Sequence, residues 1–361
     1  MRLIITGGGT GGHLFPGIAM AQAMRERIAD TEVLFIGTER AMDQQVLAQQ
    51  DFARAVLRCG GVKGIGWSGR IRTLLRMPGA VRDALRLLKE FRPDMVFAVG
   101  GYVTGPVLLA ARLLRVPIAI HEQNSVPGLA NRLAGYLADR VFISLPCKPA
   151  FPARKTVQTG NPVRQTILAA AETRIPREGE PFTLLVLGGS QGAHRVNLIM
   201  LEAVPHLLRV CPEIRIIHQT GTDDADLVRG RYQELGVDAE VVAFIDDMAG
   251  AYGRADLAVS RAGATTLAEL AVMGVPALLV PYPYAADNHQ FTNARHYAWG
   301  QGCRILLETD LTGEIVAQTI SEYLQNRKEL HTMAANMRRM AMPDAAGRIV
   351  EECLRLTTRR Q

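Results

Sequence analysis

The stretch Gly7-Gly8-Gly9-Thr10-Gly11-Gly12-His13-Leu14-Phe15-Pro16-Gly17 follows a short apolar strand, Leu3-Ile4-Ile5. It combines bare backbone that a ligand can approach with a side chain able to move a proton. Glycines allow φ > 0 and close approach of N–H groups. Pro16 suits a first helical position, so the sequence predicts a helix over 16–27 whose free N–H groups favour anions. His13 at that mouth is a catalytic candidate.

Gly7, Gly9 and Gly12 satisfy the G-x-G-x-x-G of dinucleotide folds. That fingerprint expects an acid about 20 residues further on, at the end of the second strand, for a ribose hydroxyl. Here the strand Val33-Leu34-Phe35-Ile36 ends in Gly37-Thr38, with Glu32 just before and Glu39 just beyond. The expectation is therefore a phosphate-type turn and not a nicotinamide or flavin site.

Three further clusters sit at strand ends. Val259 to Glu269 reads as a strand end, a small-residue turn and a helix start. The helix N-terminus offers N–H donors to a phosphate, and Glu269 can accept both hydroxyls of a ribose or serve only the helix dipole. Asp287-Asn288-His289-Gln290 resembles polar side chains grasping a sugar, or a cap with Asp287 as N-cap and Gln290 at the third helical position. Ser190-Gln191-Gly192 is a second phosphate-type turn, and Arg164, after Gly160-Asn161-Pro162-Val163, is a possible charge partner.

Strand and helix signals alternate along all 361 residues, which predicts parallel sheets with crossover helices. Strands are expected at 2–6, 33–36, 53–57, 95–99, 117–120 and 140–144, then at 183–187, 214–218, 240–243, 256–259 and 276–280. Helices are expected over 42–49, 81–91, 103–114 and 127–138, from the second glycine turn to about Arg209, and near 311–325, 328–341 and 345–357. Ser144 to Pro162 is proline-rich without periodicity and reads as a linker. Glycine-rich strand exits at 6–12 and 188–192 occupy equivalent places in two halves, so two similar α/β domains facing each other across a cleft are expected.

Composition narrows the class. With 48% hydrophobic and 6% aromatic residues the chain suits an α/β protein. Five cysteines without C-x-x-C argue for a reducing compartment and against a cysteine metal site. No signal peptide and no membrane-spanning run is visible. Between Lys63 and Arg92 lie eight basic residues and two acids, a net +6 equal to that of the whole chain. Interleaved apolar residues make 65–78 a candidate contact with an anionic membrane surface, and 81–91 an ordinary surface helix. No nucleic-acid motif accompanies this charge.

Taken together, GGGTGGHLFPG, GGYVTGP, HEQNSVPGLANR, TGNPVR, GGSQGA, FIDDM, SRAGATTLAEL and DNHQFTNA, in this order, resemble the MurG family of peptidoglycan glycosyltransferases. The resemblance implies the GT-B fold, two Rossmann-like parallel-sheet domains. The expected acceptor and membrane-associating domain is 1–160, with a C-terminal helix at about 343–361 packing back on it. The expected UDP-GlcNAc domain is 161–342. It implies transfer of N-acetylglucosamine from UDP-GlcNAc to undecaprenyl-pyrophosphoryl-MurNAc-pentapeptide, without cofactor or metal, at the cytoplasmic face of the membrane. Ile245 would read the uracil edge and Glu269 the ribose. Ser190 with Ala264, Thr265 and Thr266 would hold the diphosphate, with Leu267 and Ala268 in the same binding stretch. Gln290 and Asn124 would contact the sugar, and Arg164 would line the nucleotide site. Thr10, Gly11 and Gly12 would border the acceptor pyrophosphate. His289 and His194 stand where the family more often has glutamine and arginine.

The implied reaction is an inverting single displacement that needs a base on the acceptor C4 hydroxyl. His13 is the first candidate and Glu122 its competitor; alternatively His13 only hydrogen-bonds the pyrophosphate. Helix N-termini at 190–193 and 264–266 would stabilise the leaving diphosphate, and Asp246-Asp247 reads as a helix cap. A UDP-GlcNAc 2-epimerase of the same fold and a non-catalytic nucleotide-sugar sensor are the alternative functions.

Overall fold

Apolar runs such as Met95-Val96-Phe97-Ala98-Val99 and Leu184-Leu185-Val186-Leu187 become strands buried on both faces, as parallel sheets require. The structure is a computed structural model that describes residues 1–8, 11–38, 47–48, 50–57, 67–149, 151–174, 180–189 and 192–358; the side chains of 67–76 lie outside the description. It divides into two units, Met1–Arg164 with Pro343–Gln361, and Gln165–Met342.

The first unit runs β1 (Arg2–Gly7), α1 (Gly11–Arg27), β2 (Glu32–Gly37), β3 (Ala53–Val56), α2 (Trp67–Phe91), β4 (Met95–Gly100), α3 (Thr104–Leu113), β5 (Ile118–Glu122), α4 (Leu129–Leu137), β6 (Arg140–Ile143) and β7 (Thr156–Gln158). Its parallel sheet has the order β3-β2-β1-β4-β5-β6-β7. The second unit runs α5 (Gln165–Thr173), β8 (Thr183–Leu187), α6 (His194–Val210), β9 (Arg215–Gln219), α7 (Ala225–Glu234), β10 (Asp238–Val242), α8 (Met248–Arg254), β11 (Leu257–Ser260), α9 (Ala264–Met273), β12 (Ala277–Leu279), α10 (His289–Trp299), β13 (Cys303–Ile305), α11 (Gly313–Gln325) and α12 (Arg327–Arg339). Its parallel sheet has the order β10-β9-β8-β11-β12-β13. The chain then returns to the first unit through α13 (Ala345–Thr358). Ile349, Val350 and Cys353 of α13 enter one core with Leu3, Ile5, Leu14 and Met20. Helix α1 is thus covered on two sides, which explains its apolar residues beyond a single stripe.

Several expectations need correction. Helix α1 starts at Gly11, not at Pro16, which lies inside the helix. A proline in the early part of a helix forfeits one backbone bond, a tolerable loss near the N-terminus. The basic segment and the helix expected over 81–91 are one element, α2, with Pro78 inside. The proline-rich stretch read as a linker contains β7, paired with β6, a strand too short to show periodicity. Helices α5 and α7 and strand β13 were not anticipated. The helix expected over 42–49 lies outside the described residues except for 47–48.

Candidate active site

Strand order reverses between β1 and β4 in the first unit and between β8 and β11 in the second. Open α/β sheets bind ligands beyond the carboxyl ends of the strands at such reversals. All four strand exits there carry the small or polar residues singled out by sequence.

In the first unit Gly7 pairs with Gly100 at the reversal. Gly100 has φ +106°, and a Cβ built on it would lie 3.1 Å from His13 Cε1 and 3.2 Å from Nδ1. The imidazole therefore rests on the Gly100 backbone, and only glycine leaves it room. His13 is the third residue of α1, close to the positive end of the helix dipole. Its Nδ1 lies 3.1 Å from Gln123 Oε1. Gln123 Nε2 donates to the Val99 carbonyl at 3.0 Å and lies 3.2 Å from His121 Nδ1. His121 Nε2 in turn lies 3.1 Å from the Gly160 carbonyl. Burial pulls the pKa of His121 down to about 4, overcoming its hydrogen bond to Gly160, so this ring is neutral near pH 7.

Glu122 is placed differently from the expectation of a competing base. It is 1% exposed. Its carboxylate accepts from the Asn124 N–H at 2.9 Å, Asn124 Nδ2 at 3.3 Å, the Gly128 N–H at 3.2 Å and Asn131 Nδ2 at 2.9 Å. Both oxygens accept from the loop that joins β5 to α4 and from Asn131 at the start of α4, so the carboxylate holds this loop in place. Asn124 is held by that same carboxylate. The Arg164 guanidinium lies 4.4 Å from the ring centroid of Phe15, on α1 of the first unit. Gly11 is buried and Gly12 exposed at the start of α1; Thr10 lies outside the described residues.

In the second unit, α9 begins at Ala264 after Gly263, and no side chain caps it. Its first N–H groups, on Ala264, Thr265 and Thr266, are the kind that anions satisfy. The Leu267 N–H donates to the Gly263 carbonyl at 3.0 Å, and its side chain is fully buried. Ala268 is partly exposed. Glu269 is buried and accepts from the Tyr252 hydroxyl at 3.0 Å, which orients the carboxylate. Gln290 Oε1 accepts from the Ala262 N–H at 3.3 Å and the Tyr282 N–H at 2.9 Å, tying the exits of β11 and β12 together. The cap expected at Asp287 is absent. Asn288 is the N-cap of α10 without a side-chain bond, and Asp287 and Asn288 sit consecutively at φ 52° and 53°. Two left-handed non-glycine residues in a row store strain of the sort found at binding sites.

The β8 exit turn closes through the Gly192 N–H to the Gly189 carbonyl at 2.9 Å; Ser190 lies outside the described residues. Below it His194 Nδ1 meets the Asp224 carboxylate at 2.8 Å. Asn197 donates to Asp224 and to the Thr220 carbonyl, and its Oδ1 lies 3.0 Å from His218 Nε2. Ile245 is buried between β10 and α8, where Asp247 caps α8 by accepting from the Gly250 N–H at 2.9 Å.

Sequence reasoning quoted the His121-Glu122-Gln123-Asn124 tetrapeptide but gave His121 and Gln123 no role. Polar residues at the end of a fully apolar strand were the available signal. Tyr252 carried no signal, because its partner lies 17 residues on and only the packing of α8 on α9 joins them. Leu113, Leu129, Leu133 and Tyr136, all exposed on α3 and α4, were also missed. Among the described residues no group of three His, Cys, Asp or Glu is placed to hold a metal ion.

Comparison with known proteins matches residues 3–143 to the glycosyltransferase family 28 N-terminal domain and residues 183–349 to the family 28 C-terminal domain. A Geobacter sp. (strain M21) protein named UDP-N-acetylglucosamine--N-acetylmuramyl-(pentapeptide) pyrophosphoryl-undecaprenol N-acetylglucosamine transferase is 48% identical over 351 residues, 97% of this chain and 95% of its own. The crystal structure of Acinetobacter baumannii MurG superposes with a TM-score of 0.76 at 32% identity, covering 98% of this chain and 99% of that one. UDP-GlcNAc 2-epimerase from Neisseria meningitidis reaches a TM-score of 0.69 at 15% identity, covering 98% of this chain and 100% of that one, a likeness of fold alone. With both domain models matched in order and near half identity along almost the whole length, the chain belongs to the MurG family of family 28 glycosyltransferases.

Proposed function

We propose that this chain transfers N-acetylglucosamine from UDP-GlcNAc to the C4 hydroxyl of MurNAc in undecaprenyl-pyrophosphoryl-MurNAc-pentapeptide. The observation that carries the reading is 48% identity over 97% of the chain to a transferase named for that reaction. In the second unit Glu269 takes the ribose, the α9 N-terminus the diphosphate, Ile245 the uracil edge, and Gln290 the sugar. Ser190 and the partly exposed Ala268 belong to the same donor site. In the first unit Thr10, Gly11 and Gly12 border the acceptor pyrophosphate, and Asn124 reaches the transferred sugar. Arg164, stacked on Phe15, steadies the α1 turn that carries His13.

The acceptor oxygen attacks C1 of GlcNAc from the face opposite UDP. The C1–O bond to the diphosphate breaks, UDP leaves with the bonding pair, and the hydroxyl proton passes to His13 Nε2. Charge developing on the leaving diphosphate is met by the N–H groups of α9, which need no reorganisation.

A membrane-surface role for the first unit is supported by the charge of residues 63–92 and by Leu113, Leu129, Leu133 and Tyr136 exposed beside Arg112, Arg115 and Arg132. No helix among the described residues is long and apolar enough to cross a membrane.

Incubation with UDP-[labelled GlcNAc] and a lipid-linked muramyl acceptor tests the reading. Label in the lipid product is the expected result. Conversion to UDP-ManNAc would make the chain an epimerase, and tight binding without turnover would make it a sensor.

A further inference from the structure

The polar chain behind His13 fixes its own hydrogen positions. The Val99 and Gly160 carbonyls can only accept, and everything between them follows. Because Gln123 faces the Val99 carbonyl at 3.0 Å, the group there must be its NH2, and the opposite atom must be Oε1. A flipped amide would set oxygen against oxygen at Val99, and again at the His121 carbonyl 3.4 Å away. Because His121 Nε2 faces the Gly160 carbonyl, it carries the proton, and its Nδ1 is left to accept the second Gln123 N–H. Gln123 Oε1 then faces His13 Nδ1, which must donate.

The geometry points to Gln123 as a positioning residue that holds His13 in its Nδ1–H tautomer, with His121 and the Val99 carbonyl holding Gln123. The inference rests on His13 as the base. It adds that the ring presents Nε2, with its lone pair, as the only nitrogen able to take the acceptor's proton. Neutral, buried His121 is part of the device, since a second proton on it would face the Gln123 amide hydrogens. Gly100 completes the arrangement by letting the ring lie against the strand end. Fixing a catalytic imidazole's tautomer through its other nitrogen is a general requirement of histidine bases. Here a neutral amide does what a carboxylate often does, and no charge is placed beside the acceptor's pyrophosphate.

The test uses the full chain labelled with 15N-histidine, with the His13 signals assigned by their loss in His13→Gln. Ring correlation spectra near neutral pH are expected to show Nδ1 protonated and Nε2 unprotonated. Gln123→Leu is expected to release the ring to a mixture of tautomers. It should lower kcat about 10- to 100-fold with the KM for UDP-GlcNAc little changed. Gln123→Glu keeps an acceptor toward Nδ1 but sets its other oxygen against the Val99 carbonyl, so it should hold the Nδ1–H tautomer and restore only part of that loss. Hydrogen-exchange protection of β1, β4 and β5 in the first unit reports that each variant is folded. If Gln123→Leu fails that check, His121→Asn perturbs the same lock from behind. An Nε2–H tautomer in the native protein overturns the inference. So does an unchanged kcat in a variant whose tautomer has changed. The ring spectrum reads the lock without turnover, so it separates failure of the lock from failure of the base reading. Near-normal turnover in His13→Ala removes the base and overturns the inference from that side.

Discussion

At the scale of single residues, Gly100 and Tyr252 make the sharpest tests, because each touches a proposed functional side chain without being one. Alanine at Gly100 meets both an unfavourable φ and the His13 ring. We expect Gly100→Ala to cost about 1–3 kcal/mol and to depress turnover, read by urea unfolding and a single-substrate rate. Tyr252→Phe removes the hydroxyl that orients Glu269 while keeping the ring in the core. Loss of one such bond, about 0.5–1.5 kcal/mol, should raise the KM for UDP-GlcNAc roughly 2- to 10-fold at nearly constant kcat. A fall in kcat alone would detach Glu269 from donor binding. For the base itself, His13→Ala should lower kcat about 100- to 10,000-fold. The candidate residues were legible because their types are unusual where they occur: a histidine in a glycine turn, a glutamate near a small-residue helix start. The division of labour between His13, Glu122 and Gln123 was not legible. Four adjacent residues on one strand end alternate in direction, and only the fold shows which of them reaches α1.

Among the elements, α13 has the clearest consequence. Its Ile349, Val350 and Cys353 are buried against α1 and the first sheet, and Arg140 pairs with Glu352 at 3.3 Å. Ile349→Ala should destabilise the first unit by about 2–5 kcal/mol and leave the unfolding of the second unchanged. Segment-resolved hydrogen exchange separates the two; equal loss of protection in both would contradict the assignment of α13 to the first unit. The strands were largely readable, since parallel strands buried on both faces are uninterrupted apolar runs. Shorter pieces escaped: β7 and β13 have three residues each, below any periodic signal. The start of α1 was misplaced because Pro16 resembles a helix opener, whereas the turn before it is helical too and is anchored in the core by Leu14.

For the whole molecule, both units bury a neutral histidine, which gives stability a definite acid limb. Burial lowers His121 to about 4 and His218 to about 3, from an ordinary 6.5. The unfolded chain therefore takes up these protons first. Their contribution is fully present above about pH 6.5 and is lost as pH falls toward 4 and then 3. Each is worth at most on the order of 3–5 kcal/mol. Calorimetry from pH 7 downward should show a falling Tm, and a flat profile would contradict neutral burial. The charge of residues 63–92 leads to a second expectation. Binding to vesicles containing anionic lipid should weaken steeply with salt, whereas salt-insensitive binding would assign it to the exposed leucines instead.

The sequence alone determined the α/β class, the two glycine-turn repeats, the family and a set of candidate site residues, because composition, strand hydrophobicity and motif order are local properties of the chain. It left open which strand ends come together. The reversal of strand order between β1 and β4 brings a glycine turn from residue 7 beside one from residue 100 and lays His13 on the second. The same reversal sets Gln123 and His121 behind the ring. Only tertiary structure decided that His13 Nδ1 meets Gln123 while the Glu122 carboxylate turns to Asn124 and Asn131, since the first arrangement depends on carbonyls from Val99 and Gly160, far apart in the chain.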